Sequence, residues 1–267
     1  MKVYIAVDIE GVCGACNKEE FQRSHANYPR FRDEMTAEAA AACEGALAAG
    51  ATEVLVKDAH GDGRTIDAAR LPRQARLIRG WSDEPLAYAQ LQGLDASFDA
   101  TVLIGFHARA GSAGNPLAHT WSSVSFDLVL LNGQPISEAI FSMHAAAQFG
   151  VPVVFVSGDA DVCAEVAAFQ PAVTTVAVLE GHGDSTTSIH PLEAIDRIRA
   201  GVEQALRRGH SCCRIELPKH FELSKRHKDH RWAYRASFYP GAKLLDQQTV
   251  SYETDDFDAV LRFCLFT

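Results

Sequence analysis

The chain has 267 residues, 47% of them hydrophobic and 22% charged, enough apolar material for a core that needs neither disulfide nor structural metal to fold. A formal net charge of −9 argues against nucleic acid and anionic membrane as partners, and no apolar run is long enough to span a bilayer. Seven cysteines at scattered spacing fit reduced thiols better than a disulfide framework, and the first residues enter a strand pattern without a secretory leader, so a cytoplasmic protein is expected.

Strands and helices then alternate along the chain. KVYIAVDI (2–9) reads as a buried strand, followed by a loop with Gly11 and Gly14. Asp33 to Ala49 is helical by propensity, and Gly50 is placed to end that helix. TEVLVKDAHG (52–61) is a second strand running into polar residues, ARLIRG (75–80) a short third, and EPLAYAQLQGL (84–94) a helix. DATVLIGFHARAG (99–111) is another apolar strand with a polar end. VSFDLVLLNGQPIS (124–137) predicts a hairpin, because Asn132-Gly133 is a strong two-residue turn signal. SEAIFSMHAAAQFG (137–150) is a helix with Ser137 as its cap; VPVVFVSGD (151–159) is a strand, DVCAEVAAF (161–169) a helix and TTVAVLEG (174–181) a strand. HPLEAIDRIRAGVEQALRRG (190–209) is a long amphipathic helix. From Cys212 the character changes: CRIELP and QQTVSYETDD read as strands, closed by a short helix, DDFDAVLRFC.

This alternation predicts an α/β fold, a mostly parallel sheet flanked by helices over residues 1–211, with a smaller α+β portion over 212–267. Ligands of such sheets sit beyond the carboxyl ends of the strands. The polar residues cluster there. One strand ends in Asp8-Ile9-Glu10, the next in Asp58-Ala59-His60, and the GFHARAG strand in His107. Side chains in a strand alternate faces, so Asp8 and Glu10 point the same way. Two bare carboxylates side by side repel and desolvate at considerable cost, and a divalent cation removes that cost. Mixed carboxylate and imidazole ligands suit zinc, and less selectively manganese or iron. Each feature also has an ordinary reading taken singly: the D-x-E as a loop cap, His60 as a partner of Asp58, His107 as a satisfied core-edge histidine, Glu138 as a first-turn glutamate favoured by the helix dipole.

VDIEG, KDAHG, GFHARAG, His119 in AHTW, NGQPISE and Ser157-Gly158-Asp159 occur in an order and spacing that resembles the DppA-type D-aminopeptidases, a family of zinc metallopeptidases. The likeness runs from residue 1 to about residue 175 and then thins. The resemblance implies two zinc ions per chain, held by Asp8, Glu10, His60, His107 and Glu138, with Asp8 as the shared carboxylate and His119 as the unligated catalytic residue. It implies a metal-activated water attacking the first peptide bond of short peptides, D-residues at the amino end included. It further implies a ring-like homo-oligomer, ten subunits being the expectation, that encloses its active sites. Asp, Glu and His clusters at strand ends also serve binuclear metallophosphoesterases, for which Arg109 is the one obvious phosphate ligand, and a non-catalytic metal or thiol sensor is a third class.

Three further stretches compete for attention. Cys13-Gly14-Ala15-Cys16 is a C-x-x-C, read as apolar loop fillers ahead of a redox pair or half a zinc site. GHGDSTTSIHP (181–191) is read as a surface loop capping the following helix, and no G-x-S-x-G elbow supports a serine hydrolase. HFELSKRHKDHRW (220–232) is read as a solvated surface loop. Asp159 is expected either to cap a helix or to stand behind a histidine ligand.

Overall fold

Residues Val3 to Val7 are all buried without alternation, because their strand has a parallel neighbour on each side and no face left for water. A computed structural model describes all 267 residues. The elements in chain order are β1 (Lys2–Val7), α1 (Tyr28–Ala48), β2 (Glu53–Asp58), β3 (Ala75–Ile78), β4 (Ala100–Phe106), β5 (Phe126–Leu131), β6 (Gln134–Pro135), α2 (Glu138–Ala147), β7 (Val153–Asp159) and α3 (Ala160–Phe169). They continue with β8 (Thr174–His182), β9 (Ser185–Ser188), α4 (Pro191–Arg208), β10 (Phe221–His227), α5 (His230–Ala236), β11 (Lys243–Leu244), β12 (Thr249–Thr254) and α6 (Phe257–Phe266).

The first sheet has the order β3-β2-β1-β4-β7-β8-β9, parallel except for β9, which pairs antiparallel with β8 at the edge. α1 packs on α4, and both contact the sheet; α2 and α3 pack on each other and on β4, β7 and β8. Gly45 permits the α1–α4 approach, since a Cβ there would collide with the Arg199 carbonyl. The second sheet is antiparallel, β11-β12-β10-β5-β6, with α5 and α6 against β10 and β12. An aromatic seam joins the two: Trp121 packs on Phe126 and Phe141, and Phe141 on Phe257, with ring centroids 6.1, 4.9 and 5.3 Å apart.

The α/β class and the parallel sheet are as expected. The 124–137 hairpin also forms, with Asn132 and Gly133 at φ 51° and 77°. It pairs with β10, however, so the second sheet combines residues from both sides of position 211. Other details differ. Residues 84–94 form a short 3₁₀ turn, Pro85–Ala89, stopped at Gln90, whose φ is +61°. CRIELP holds no strand; only a 3₁₀ turn, Ser211–Cys213, precedes β10. Residues 181–191 close a β8–β9 hairpin, while His190 does cap α4, its Nδ1 accepting the Leu192 amide at 3.2 Å. The largest difference is 220–232, which supplies β10 and the start of α5. Phe221, Leu223, Lys225 and His227 alternate inward on β10, a period-2 signal masked because two of the four are ionisable.

Candidate metal centre

Val7 pairs with Asp58 on one side and Ile104 on the other, so the carboxyl ends of β1, β2 and β4 lie level. Strand order reverses between β1 and β4, where a doubly wound sheet opens its crevice. β1 stops at Val7, so Asp8 and Glu10 stand on the turn beyond it rather than on one face of a strand. That turn is pressed against β4. A Cβ at Gly11 would collide with the Phe106 carbonyl, and Gly105, at φ +69°, has no room for one beside the Asp8 carbonyl. These two glycines let Glu10 and His107 share a site.

The five expected ligands and His119 converge. His60 Nε2 lies 3.4 Å from Glu10 Oε1. His107 Nε2 lies 3.5 Å from Asp8 Oδ2 and 3.7 Å from Glu138 Oε1, and His119 Nε2 is 3.8 Å from the same Glu138 oxygen. Ligand atoms of Asp8, Glu10 and His107 fall within 4.8 Å of one another, as do those of His107, His119 and Glu138. The His107 and His119 rings stack with centroids 4.3 Å apart. His119, expected beside the ligands, thus also has ligand geometry.

Backbone contacts hold these groups in place. His107 Nδ1 and His119 Nδ1 lie 2.9 and 2.8 Å from the Ala108 and Leu117 carbonyls. Each Nδ1–H donates there, so in the neutral ring it is Nε2 that presents its lone pair toward carboxylate oxygen. Ser137 caps α2 by accepting the Ile140 amide at 3.2 Å, and Glu138, the first residue of that helix, faces the cluster. Its Oε1 accepts the Trp121 amide at 2.6 Å, and its Oε2 accepts the Gln90 side-chain amide. Gln90 and Trp121 both have left-handed backbone, φ 61° and 62°, strained for non-glycine residues and concentrated at the site. Neither has a recognisable sequence signature: the Trp121 contribution is a backbone amide, and Gln90 sits in a stretch that reads as helix.

Asp58 does not contact His60 as a hydrogen-bond partner; its Oδ2 accepts the Thr65 and Ile66 amides at 2.5 and 2.7 Å and ties down the loop after β2. Asp159 fills both expected parts. Its Oδ1 caps α3 through the Val162 amide at 2.8 Å, and its Oδ2 accepts the Ala108 amide at 2.6 Å, fixing the backbone next to His107. Asn115 bridges Asp159 to the Glu10 carbonyl, at 2.9 and 3.2 Å.

The electrostatics match a site built for cations. Burial, then the neighbouring Glu10 and Glu138 charges, pushes the Asp8 carboxyl well above the usual range. Glu10 is desolvated too, yet His60 beside it holds it well below. Burial lowers His107, but Glu138 and Glu10 outweigh it and raise the ring above its ordinary value. Burial and the adjacent His107 lower His119. His107 Nε2 is buried without any hydrogen-bond partner among these acids. Carboxylate oxygen plus imidazole nitrogen is a donor set that fits zinc. The cluster opens into a cleft of about 230 Å³ whose rim also includes Lys18, Ser122 and Ser123.

Residues 1–266 match the model of the peptidase M55 family, described as D-aminopeptidase. The chain belongs to the D-aminopeptidase family. It is 29% identical over 260 residues to the D-aminopeptidase of Bacillus subtilis (strain 168), covering 96% of this chain and 92% of that protein. Its fold is similar to that of the Zn-dependent D-aminopeptidase DppA from Bacillus subtilis, a self-compartmentalizing protease, with a TM-score of 0.90 and 27% identity over 99% of this chain and 96% of the other. Family membership makes this chain an aminopeptidase, a hydrolase of peptide bonds, and displaces the phosphoesterase and sensor readings. The C-x-x-C agrees with that outcome. Cys13 is buried, donates to the Ile189 carbonyl at 3.0 Å, and is pushed up to about 12 by burial and then by Glu38 and Glu34. A buried thiol held on a backbone carbonyl fits the role of a loop filler.

Proposed function

We propose that Asp8, Glu10, His60, His107 and Glu138 hold two zinc ions, with Asp8 shared, and that the chain removes the amino-terminal residue, D-residues included, from short peptides. The observation that carries this is the unpartnered, buried His107 Nε2, which belongs to both groups of converging ligand atoms. Zinc bound there would acidify water to a pKa of about 7 and polarise the scissile carbonyl. The chain's own residues supply the rest. Gln90 and the Trp121 amide hold Glu138 in one orientation. His119, neutral at pH 7 with Nε2 free, accepts a proton at that nitrogen and returns it to the leaving amine.

Elemental analysis of the purified protein is expected to find about two zinc atoms per chain, and Asp8→Ala to lose them together with activity on aminoacyl anilides. An Asp8→Ala protein that keeps its metal and turns over at the native rate would sink the proposal. His119 has a second reading, because its geometry also qualifies it as a ligand. His119→Ala separates the two: full metal content with lost turnover makes it the proton carrier, whereas loss of zinc makes it a ligand.

A cytoplasmic location is proposed from the seven unpaired cysteines. No helix is long and apolar enough to cross a membrane. A ring-like assembly, ten subunits included, is proposed from the second-sheet unit, where Trp232, Tyr234, Phe238 and Leu245 are 51%, 61%, 71% and 55% exposed. Trp232→Asp with Phe238→Asp is expected to reduce the light-scattering mass; an unchanged mass would place the interface elsewhere.

A further inference from the structure

Beside the ligand cluster a second cleft, of about 340 Å³, is walled by Trp81, Tyr88, Trp121 and Leu265. It is continuous with the cluster, because Gln90, Trp121 and Glu138 line both. Its walls are braced. Trp81 Nε1 donates to the Gly61 carbonyl at 2.8 Å, and Lys57 Nζ sits 3.6 Å above the Trp81 ring. Tyr88 meets Trp121 edge to face with centroids 5.0 Å apart. Leu265 comes from α6, so the second-sheet unit closes a wall of a cleft that begins on the first sheet. The rim of the cluster that this cleft does not share has another character: Lys18 there donates to Ser123 Oγ at 2.7 Å. The site therefore has an aromatic end and a cationic, hydroxylic end.

We infer that the aromatic cleft receives the side chain of the substrate's amino-terminal residue and selects for large apolar ones. This rests on the aminopeptidase reading above. In such a reaction the free amine and the scissile carbonyl flank a single Cα, and both must lie at the ligand cluster. The aromatic cleft adjoins that point and has room for the side chain on that Cα. That space is lined by three aromatic rings, a leucine and two alanines, with Asp83, Gln90 and Glu138 also in its wall, and the apolar majority favours an apolar occupant through burial and ring contacts. The residue behind the scissile bond lies toward the polar rim, where the ammonium of Lys18 suits the carboxylate of a dipeptide.

The test compares kcat/KM on D-Phe-Gly, D-Ala-Gly and D-Ala-Phe for zinc-loaded wild type, Leu265→Trp, which fills the cleft, and Trp81→Ala, which removes a wall. Wild type is expected to prefer D-Phe-Gly over D-Ala-Gly. Both variants are expected to lower that ratio by about tenfold or more, the scale on which apolar pockets discriminate. They are expected to leave the ratio of D-Ala-Phe to D-Ala-Gly in place. Cleavage by wild type with ratios that neither variant moves, or a change that follows the second residue instead, overturns this inference while leaving the aminopeptidase reading standing. Wild type that cleaves none of the three peptides overturns both.

Discussion

The ligand cluster and the inner face of β10 both take charge out of water, and they do so in opposite ways. At the strand ends, Asp8 and Glu138 carboxylate oxygens face His107 Nε2 at 3.5 and 3.7 Å, and that buried nitrogen has no hydrogen-bond partner. On β10 a single cation, Lys225, is fully buried, and it is satisfied within the protein. Its Nζ donates to the Thr267 main-chain oxygen at 2.9 Å and to the Thr267 hydroxyl, and lies 4.5 and 5.3 Å from the Phe263 and Phe126 rings. Burial of charge therefore does not by itself mark a functional site. A buried imidazole nitrogen without a partner, set among converging carboxylates, does.

The contrast can be broken most severely at Asp8. Asp8→Ala is expected to lower kcat/KM by at least about 10³-fold, since metal assistance is worth several kcal/mol of barrier. Lys225→Met is expected to leave kcat/KM within about threefold. An equal loss of activity in both would erase the distinction between a site and a structural charge.

Next in size is the stability effect at Lys225. Burial holds its ammonium at about 8, below the usual lysine range. Below pH 8 both folded and unfolded chains carry the proton, and the folded state bears the desolvation cost. Between about pH 8 and the ordinary lysine range, only the unfolded chain still binds it, so stability rises with pH across that window. The gap corresponds to about 3 kcal/mol. Lys225→Met is expected to be more stable than wild type in urea at pH 7, with the advantage shrinking by pH 9.5. An advantage that does not change with pH would show that the lysine is not desolvated.

The smallest effect is expected at Gln90, whose side-chain amide donates to Glu138. Gln90→Leu is expected to weaken zinc binding by about 10- to 100-fold in competition with a chelator, the range typical of groups that orient a ligand. Unchanged affinity would mean that Glu138 needs no such partner.

Much of the architecture was legible along the chain. β1, β2, β4 and β7 are short apolar runs ending in polar residues, and that pattern alone placed Asp8, Glu10, His60 and His107 at one edge. Glu138 was readable only through resemblance to a family, because a glutamate in the first turn of a helix has an ordinary explanation. Gln90 and Trp121 were not readable at all. β10 was misread for a related reason: two ionisable side chains on its inner face look like solvated charge until the Thr267 acceptors and the aromatic rings that receive Lys225 are known.

The order of residues by itself determined most strands and helices of the parallel sheet, the Asn132-Gly133 turn, and which side chains can carry acid–base and metal chemistry, because hydrophobic period and turn preference act over a few neighbours. Only the tertiary structure decided that residues as far apart as 8, 60, 107, 119 and 138 meet at one point, and that α6 reaches over to wall the adjoining cleft. Strand register, the close approach at Gly11 and Gly105, and the packing of one sheet's helix against the other sheet's crevice set those meetings, and each is a relation between distant segments that no local stretch contains.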